Sequence, residues 1–495
     1  MLAWTIYISF LGALVLTLLP REQPRVARAV ALLTAVVGLV IAFFGTIQHG
    51  GQFAPIIQKT WVSGLHIQYY LGADGISIVL VLLTGIAAIS GILFSWNIEQ
   101  RTKEFFAFYL TLIGGVYGVF LSYDVFLLFV FYELAIIPKY FLIAIWGSTR
   151  REYGAMKLAL YSFVGSAMVL AGLVAAYVKA GATTTNLFEL SKFPFPEHFQ
   201  YWAFPMVFIG FAVLAGLWPF HTWAPTGHVA APTAVSMLLA GVVMKLGAYG
   251  ALRVAMTLFP LGLQAWHNEI GLLAAIGIVY GATVALVQKD FKFVIGYSSV
   301  SHMGFVLLGL VTINTIGLSG AVLQMFSHGI IAGLLFAVVG RMVYERTHTR
   351  DLDALEGMHL GKALPFAAGI FVIAGFASMG LPGFSGFVAE LQVLIGAWDA
   401  FPTYAIVAGL GILVGVAYTL RAIQKAFYGD GGEAPTTADE AHPLPPISFP
   451  ERLGAIILIA ATLLIGLCPK LLLDLIGPSF DGPLFDGLFH RGGPS

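Results

Sequence analysis

The chain has 495 residues, of which 59% are hydrophobic and only 10% charged, where an average soluble domain is roughly 25% charged. That balance excludes a water-soluble core, and 25 basic residues against 25 acidic ones exclude a basic nucleic-acid face and a polybasic lipid-binding tail. A single cysteine, Cys468, excludes an internal disulfide, a Cys-ligated iron–sulfur cluster and a CxxC redox centre, so any electron transfer belongs to other chains.

A helix crosses a bilayer with about 20 apolar residues. On that ruler fourteen spans are predicted, beginning near Leu2, Val26, Gly75, Phe105, Asp124, Ala155, Tyr201, Thr233, Ile270, Tyr297, Gly317, Pro365, Thr403 and Leu453. The first apolar run has no basic residue before it, and Arg21 follows it. This order argues against a cleaved signal peptide and for an N-terminus on the outer side of the cell inner (plasma) membrane. Connections from odd to even spans carry 16 of the 25 Lys and Arg, among them Arg21, Arg150, Lys292 and Arg350, and are therefore predicted to face the cytoplasm. The other side carries 6, including Arg253 and Arg491. That leaves Lys139 and Lys245 deep within spans and Lys157 at a cytoplasmic helix start.

The fourth and ninth spans start 165 residues apart, and the prolines that break the seventh and twelfth, Pro219 and Pro382, lie 163 apart. The predicted fold is an all-α integral membrane protein of about 14 transmembrane helices with two inverted five-helix repeats, each containing a broken helix. Its parts are an N-terminal three-helix segment (1–104), a first repeat (105–267), a second repeat (268–430) and a C-terminal loop with the last helix (431–495). Interrupted helices at equivalent places of an inverted repeat point to a transport path, because half-helix ends and freed carbonyls can line a wet cavity.

In chain order, the first buried charge is Glu133, near the middle of the fifth span. A charge at that depth costs roughly 2.5–3.5 kcal/mol, so it marks either function or a structural ion pair. His221 and His228 fall in the gap after the seventh span, where a loop that satisfies freed backbone groups is a better reading than a metal site. Lys245 lies in the eighth span, twelve uncharged residues after the span begins, too deep to snorkel comfortably. His302 and His328, in the tenth and eleventh spans, titrate near neutral pH, which suits either a hydrogen-bonded core or a proton relay. Glu390 follows the glycine-rich break from Gly380 to Gly386 in the twelfth span.

Burial disfavours the charged form of each such group and pairing favours it. At an effective dielectric near 20, unit charges 4 Å apart interact by about 4 kcal/mol, or roughly three pKa units, so breaking one pair can load or unload a proton next door. Sodium would need several oxygen ligands gathered in one place, whereas these acids and bases are dispersed singly.

Several phrases then carry a resemblance over nearly the whole chain. They are Tyr132-Glu133-Leu134, Pro219-Phe220-His221-Thr222-Trp223, Ala231-Pro232-Thr233-Ala234, Lys245-Leu246-Gly247-Ala248-Tyr249-Gly250 and Tyr297-Ser298-Ser299-Val300-Ser301-His302-Met303-Gly304. The sequence resembles the antiporter-like subunit M (chain 4) family of proton-pumping NADH:quinone oxidoreductase, respiratory complex I. The resemblance implies a translocase subunit with no redox centre or cofactor of its own, embedded in lipid beside other membrane-arm and antiporter-like subunits. NADH, FMN, iron–sulfur clusters and quinone would then belong to partner subunits. It also implies that Glu133 is the input glutamate, Lys245 the central lysine, His302 and His328 connecting groups, and Glu390 the exit-side glutamate. The rival expectations are a subunit of a multisubunit cation/proton antiporter or membrane-bound hydrogenase, and a non-pumping scaffold.

One departure matters. The family's seventh-helix lysine, partner of the fifth-helix glutamate, is Leu214 here. The family's aspartate after the loop proline is likewise replaced by Thr226. Lys139, six residues after Glu133, is the candidate substitute. That spacing is about 240° around a regular helix and 9 Å along it, so the two do not share a face. Pro138 and a flexible four-carbon stem would have to carry the ammonium between helices. The alternative is a helix-end lysine pointing to the cytoplasm.

Overall fold

The computed structural model describes residues 1–20, 23–429 and 444–490; Arg21, Arg491 and the predicted boundary at 430/431 lie outside them. The described chain is predominantly helical. Its helices are α1 (Ala3–Leu18), α2 (Pro24–His49), α3 (Gly75–Phe94), α4 (Thr102–Leu121), α5 (Val125–Trp146), α6 (Arg151–Lys179), α7 (Leu187–Lys192), α8 (Glu197–Ala215) and α9 (Trp223–Ala230). They continue with α10 (Thr233–Met256), α11 (Pro260–Val287), α12 (Phe291–Leu310), α13 (Thr315–Thr347), α14 (Leu352–Glu356) and α15 (Leu360–Ala363). The last are α16 (Pro365–Ser378), α17 (Ser385–Ala400), α18 (Pro402–Tyr428), α19 (Phe449–Leu467), α20 (Lys470–Phe480) and α21 (Asp486–His490).

Among the described residues, twelve helices are long and apolar enough to cross a membrane, and the protein is a multi-pass membrane protein. Each of the fourteen predicted segments coincides with a helix. The two that fall short of spanning length are the first, α1, and the twelfth, which is split into α16 and α17. The ninth begins ten residues earlier than predicted, because Pro260 opens α11 and the polar stretch from Gln264 to Glu269 is helical.

Buried acids and amides set where several spans begin. Asp74 caps α3 by accepting the Ser77 amide, Asp124 caps α5, Asp290 caps α12 and Asn314 caps α13. Ser448 and Glu451 form a reciprocal capping box at α19. Glu451 also binds Arg341 and Arg346 of α13, which ties the last long helix to the core.

Two caps share a pattern. Around Asp124, the Val125 amide donates to the Thr185 carbonyl and the Leu187 amide to the Tyr123 carbonyl; around Asp290, Phe291 donates to Arg350 and Leu352 to Lys289. Every partner in the second set lies 165 or 166 residues after its counterpart in the first. In each case a short helix, α7 or α14, starts where the bridge ends.

A hairpin was not among the predicted elements. Strands β1 (Ala54–Val62) and β2 (Ile67–Ala73) pair antiparallel between α2 and α3. The Gln68 amide on β2 donates to Asp124 Oδ2 at 2.9 Å, so the hairpin braces the α5 cap. Phe53, Tyr70, Tyr123 and Phe188 pack beneath it.

Arg253 is not a loop charge as predicted but a fully buried side chain in α10. It forms a two-pronged ion pair with Asp74, at 2.6 and 2.7 Å, with Tyr123, Tyr249 and Phe485 around the guanidinium. Lys292 also departs from expectation, being 2% exposed at the start of α12.

Candidate functional site

The breaks in the seventh and twelfth segments place the site. Gly216 ends α8 in a left-handed conformation (φ 86°), and the Trp223 indole N–H returns to the Val213 carbonyl at 2.8 Å. The freed backbone is thereby satisfied as the sequence suggested. The gap is shorter than expected, however: His228 sits inside α9, and only His221 lies in the connecting turn.

In the twelfth segment Gly380 takes φ 70°, and a Cβ there would lie 2.9 Å from Glu390 Oε2. Glycine is required twice over, by conformation and by the close carboxylate. Gly380→Ala is expected to cost about 1–3 kcal/mol, read as a lower apparent melting temperature of the purified complex; an unchanged melting temperature would show that the break relaxes freely.

Four of the six predicted site residues form one connected set. Lys245, fully buried on α10, donates to His328 Nδ1 on α13 at 2.7 Å and also to the carbonyl of Ala240. Ala240 belongs to a wide, π-type turn at Leu239–Val243, and a second such turn at Ala251–Met256 lies beyond Lys245. The His328 and His302 rings stand 5.4 Å apart between centroids. His302 Nδ1 donates to Glu390 Oε1 at 2.9 Å, and its Nε2 lies 3.1 Å from the Ser378 hydroxyl. Gln324 adds a second donor to the same carboxylate oxygen at 3.2 Å.

A cavity of about 10 Å³ lies among His302, Gln324, Ser327, His328, Ser378 and Glu390, and a second of like size lies beyond, where Ser301, Glu390 and Tyr418 meet. Each is polar-lined and has room for about one water molecule. Glu390, 4% exposed, thus stands between two water-sized spaces.

Glu133 and Lys139 are placed apart from this set. Glu133 is half-buried on α5, acted on by Ser166 and by the charge of Lys139. Lys139 is fully buried with no hydrogen-bond partner on its ammonium, so it is not a helix-end lysine reaching the cytoplasm. The two interact through their charges without closing a hydrogen bond. Leu214 is 2% exposed on α8. Among the described residues no group of three or more His, Cys, Asp or Glu could hold a metal ion.

Sequence reasoning passed over Gln324, whose amide bridges His302 and Glu390. Its position one helical turn before His328, on the same face, was the available signal.

A multi-pass helical protein with broken helices and a buried row of alternating acid and base groups belongs to the class of membrane proton carriers. The model of the family "NADH:quinone oxidoreductase/Mrp antiporter, TM" matches residues 122–415. The chain is 38% identical to NADH-quinone oxidoreductase subunit M of Rhodobacter capsulatus, over 93% of this chain and 90% of that one. Its fold matches a chain of respiratory complex I from Thermus thermophilus with a TM-score of 0.89 at 29% identity, covering 100% of both. A chain of the Mrp complex from Dietzia sp. matches with a TM-score of 0.84 at 21% identity, over 99% of this chain and 97% of that one, a likeness of fold. The chain belongs to the NADH:quinone oxidoreductase/Mrp antiporter membrane-subunit family.

Proposed function

We propose that this chain is the proton-translocating membrane-arm subunit M (chain 4) of an NADH:quinone oxidoreductase. Protons move through Lys245, His328, His302 and Glu390, while partner subunits holding flavin and iron–sulfur clusters oxidise NADH and reduce quinone. The observation that carries this reading is the buried contact of Lys245 with His328, with the His302–Glu390 pair next to it. A proton arriving on Lys245 repels one from the imidazoles beside it, and Glu390 is the next acceptor. Subunit M of Rhodobacter capsulatus supports NADH and quinone as the partners' substrates.

The matching cap patterns at Asp124 and Asp290 support two repeats related by inversion, with one bridge on each face of the plasma membrane and the N-terminus outside. On the input side, Glu133 passes charge to Lys139, which takes over for the lysine missing at Leu214. The burial of Lys139 and its electrostatic coupling to Glu133 support that role. Lys139→Ala and Glu133→Ala are each expected to suppress NADH-driven proton uptake by membrane vesicles, with assembly checked on native gels. Intact pumping in Lys139→Ala beside its loss in Glu133→Ala would remove Lys139 from the path.

A further inference from the structure

Two buried groups, His228 and Lys292, lie outside this path. His228 is fully buried in α9, and neither ring nitrogen has a hydrogen-bond partner among the described residues. Its ring packs against Trp223 and Phe336, which hold it without satisfying it. The charges that act on it are those of Lys245 and Lys292.

Lys292 donates to the Ala231 carbonyl, just past the end of α9, at 3.1 Å. That is its one hydrogen bond among the described residues, for an ammonium with three donors. Its stem lies so close to Gly340 that a Cβ there would meet Lys292 Cε at 3.2 Å. At the rim, Asp290 and Arg350 form an ion pair at 3.2 Å, with Asp290 27% exposed. Asp290 also receives the Lys292 amide, so rim and lysine share a residue.

A cation at the C-terminus of α9 favours the helix dipole, but this end is already supplied. Arg350 and Ser148 donate to the Val229 carbonyl, and the Ser148 amide donates to Ala230. A buried ammonium with one of three donors used carries a desolvation cost of several kcal/mol, whereas a neutral amine in the same place does not. Lys292 is therefore built to lose and regain a proton.

We infer that Lys292 is a second loading point for Lys245, reached from the Asp290–Arg350 rim and handed on through His228 without passing Glu133. This rests on the proton-translocating reading above. The neutral Lys292 amine takes a proton from the rim and gives it to one ring nitrogen of His228. The other ring nitrogen releases its own proton to the neutral Lys245 amine, leaving His228 neutral in its other tautomer. No bond changes except those to the moving protons.

The test is NADH-driven proton uptake per electron pair in proteoliposomes of the whole assembled complex. Lys292→Arg keeps a cation on the Ala231 carbonyl but cannot give up a proton at working pH, and is expected to lower uptake about five-fold or more, on the scale of losing one positioned proton carrier. His228→Gln keeps a hydrogen-bonding side chain without a titrating ring, and is expected to match it. Wild-type uptake in either variant would overturn the inference. Lys245→Ala is run beside them: if it too pumps normally, the proton-translocating reading fails; if it is inactive while Lys292→Arg or His228→Gln pumps normally, only the second loading point fails.

Discussion

Replacing Lys245 with alanine is expected to abolish NADH-driven proton uptake through this subunit, a loss on the order of a hundred-fold, the lower end of what a positioned proton-transfer group contributes. The reason is geometric. Lys245 is the α10 group that hydrogen-bonds His328, and neither Glu133 nor Lys139 makes a hydrogen bond to that histidine. Alanine removes both the carrier and the contact. Lys245→Arg keeps the charge but not the ability to release a proton, so it should fail in the same assay despite assembling. If Lys245→Ala supports full pumping stoichiometry in an assembled complex, the subunit is a scaffold, the reading for which Leu214 is the best support.

Asp74→Asn is expected to destabilise the subunit by about 3–5 kcal/mol, the cost of leaving one member of a buried ion pair alone. Asparagine still caps α3, so the loss isolates the charge. Arg253 would remain fully buried between Tyr123, Tyr249 and Phe485 with no carboxylate opposite. Because Phe485 comes from the C-terminal segment and Asp74 from the start of α3, the first sign should be loosening of that segment, seen as earlier proteolysis and a lower melting temperature in detergent. Converting the partner as well, Asp74→Asn with Arg253→Met, should recover much of the loss. An Asp74→Asn protein as stable as the parent would show that the pair does not hold these elements.

Apolar runs and their breaks were legible in the sequence because span length and helix-breaking residues are local properties. That sufficed to find the long helices and the two interruptions at Pro219 and Pro382. The central site was legible as residue types: Lys245, His302, His328 and Glu390 each stand out at depth. Their contacts were not, since nothing in the sequence states that α10, α12, α13 and α17 converge.

The misreadings share a cause. Arg253 and Lys292 lie near helix ends, where counting along the chain assigns a charge to water. The neighbours that bury them come from distant segments: Asp74 and Phe485 for one, Ala231 and Gly340 for the other. His228 was taken for a loop residue because Pro225 precedes it, yet proline fits the first turn of a helix well. The hairpin went unread because a short strand pair between two long apolar runs looks like any polar connection.

The wide turns on either side of Lys245 have a consequence for how this helix tolerates change. Each accommodates one residue more than a regular turn would, so α10 carries the imprint of two absorbed insertions. Deleting a single residue from Leu239–Val243 would restore a regular helix and rotate everything after it by about 100°. Lys245 and Arg253 would swing off their partners together. Spacing within this segment is therefore as constrained as residue identity, and length variants of α10 should be far rarer in a functional library than substitutions along it.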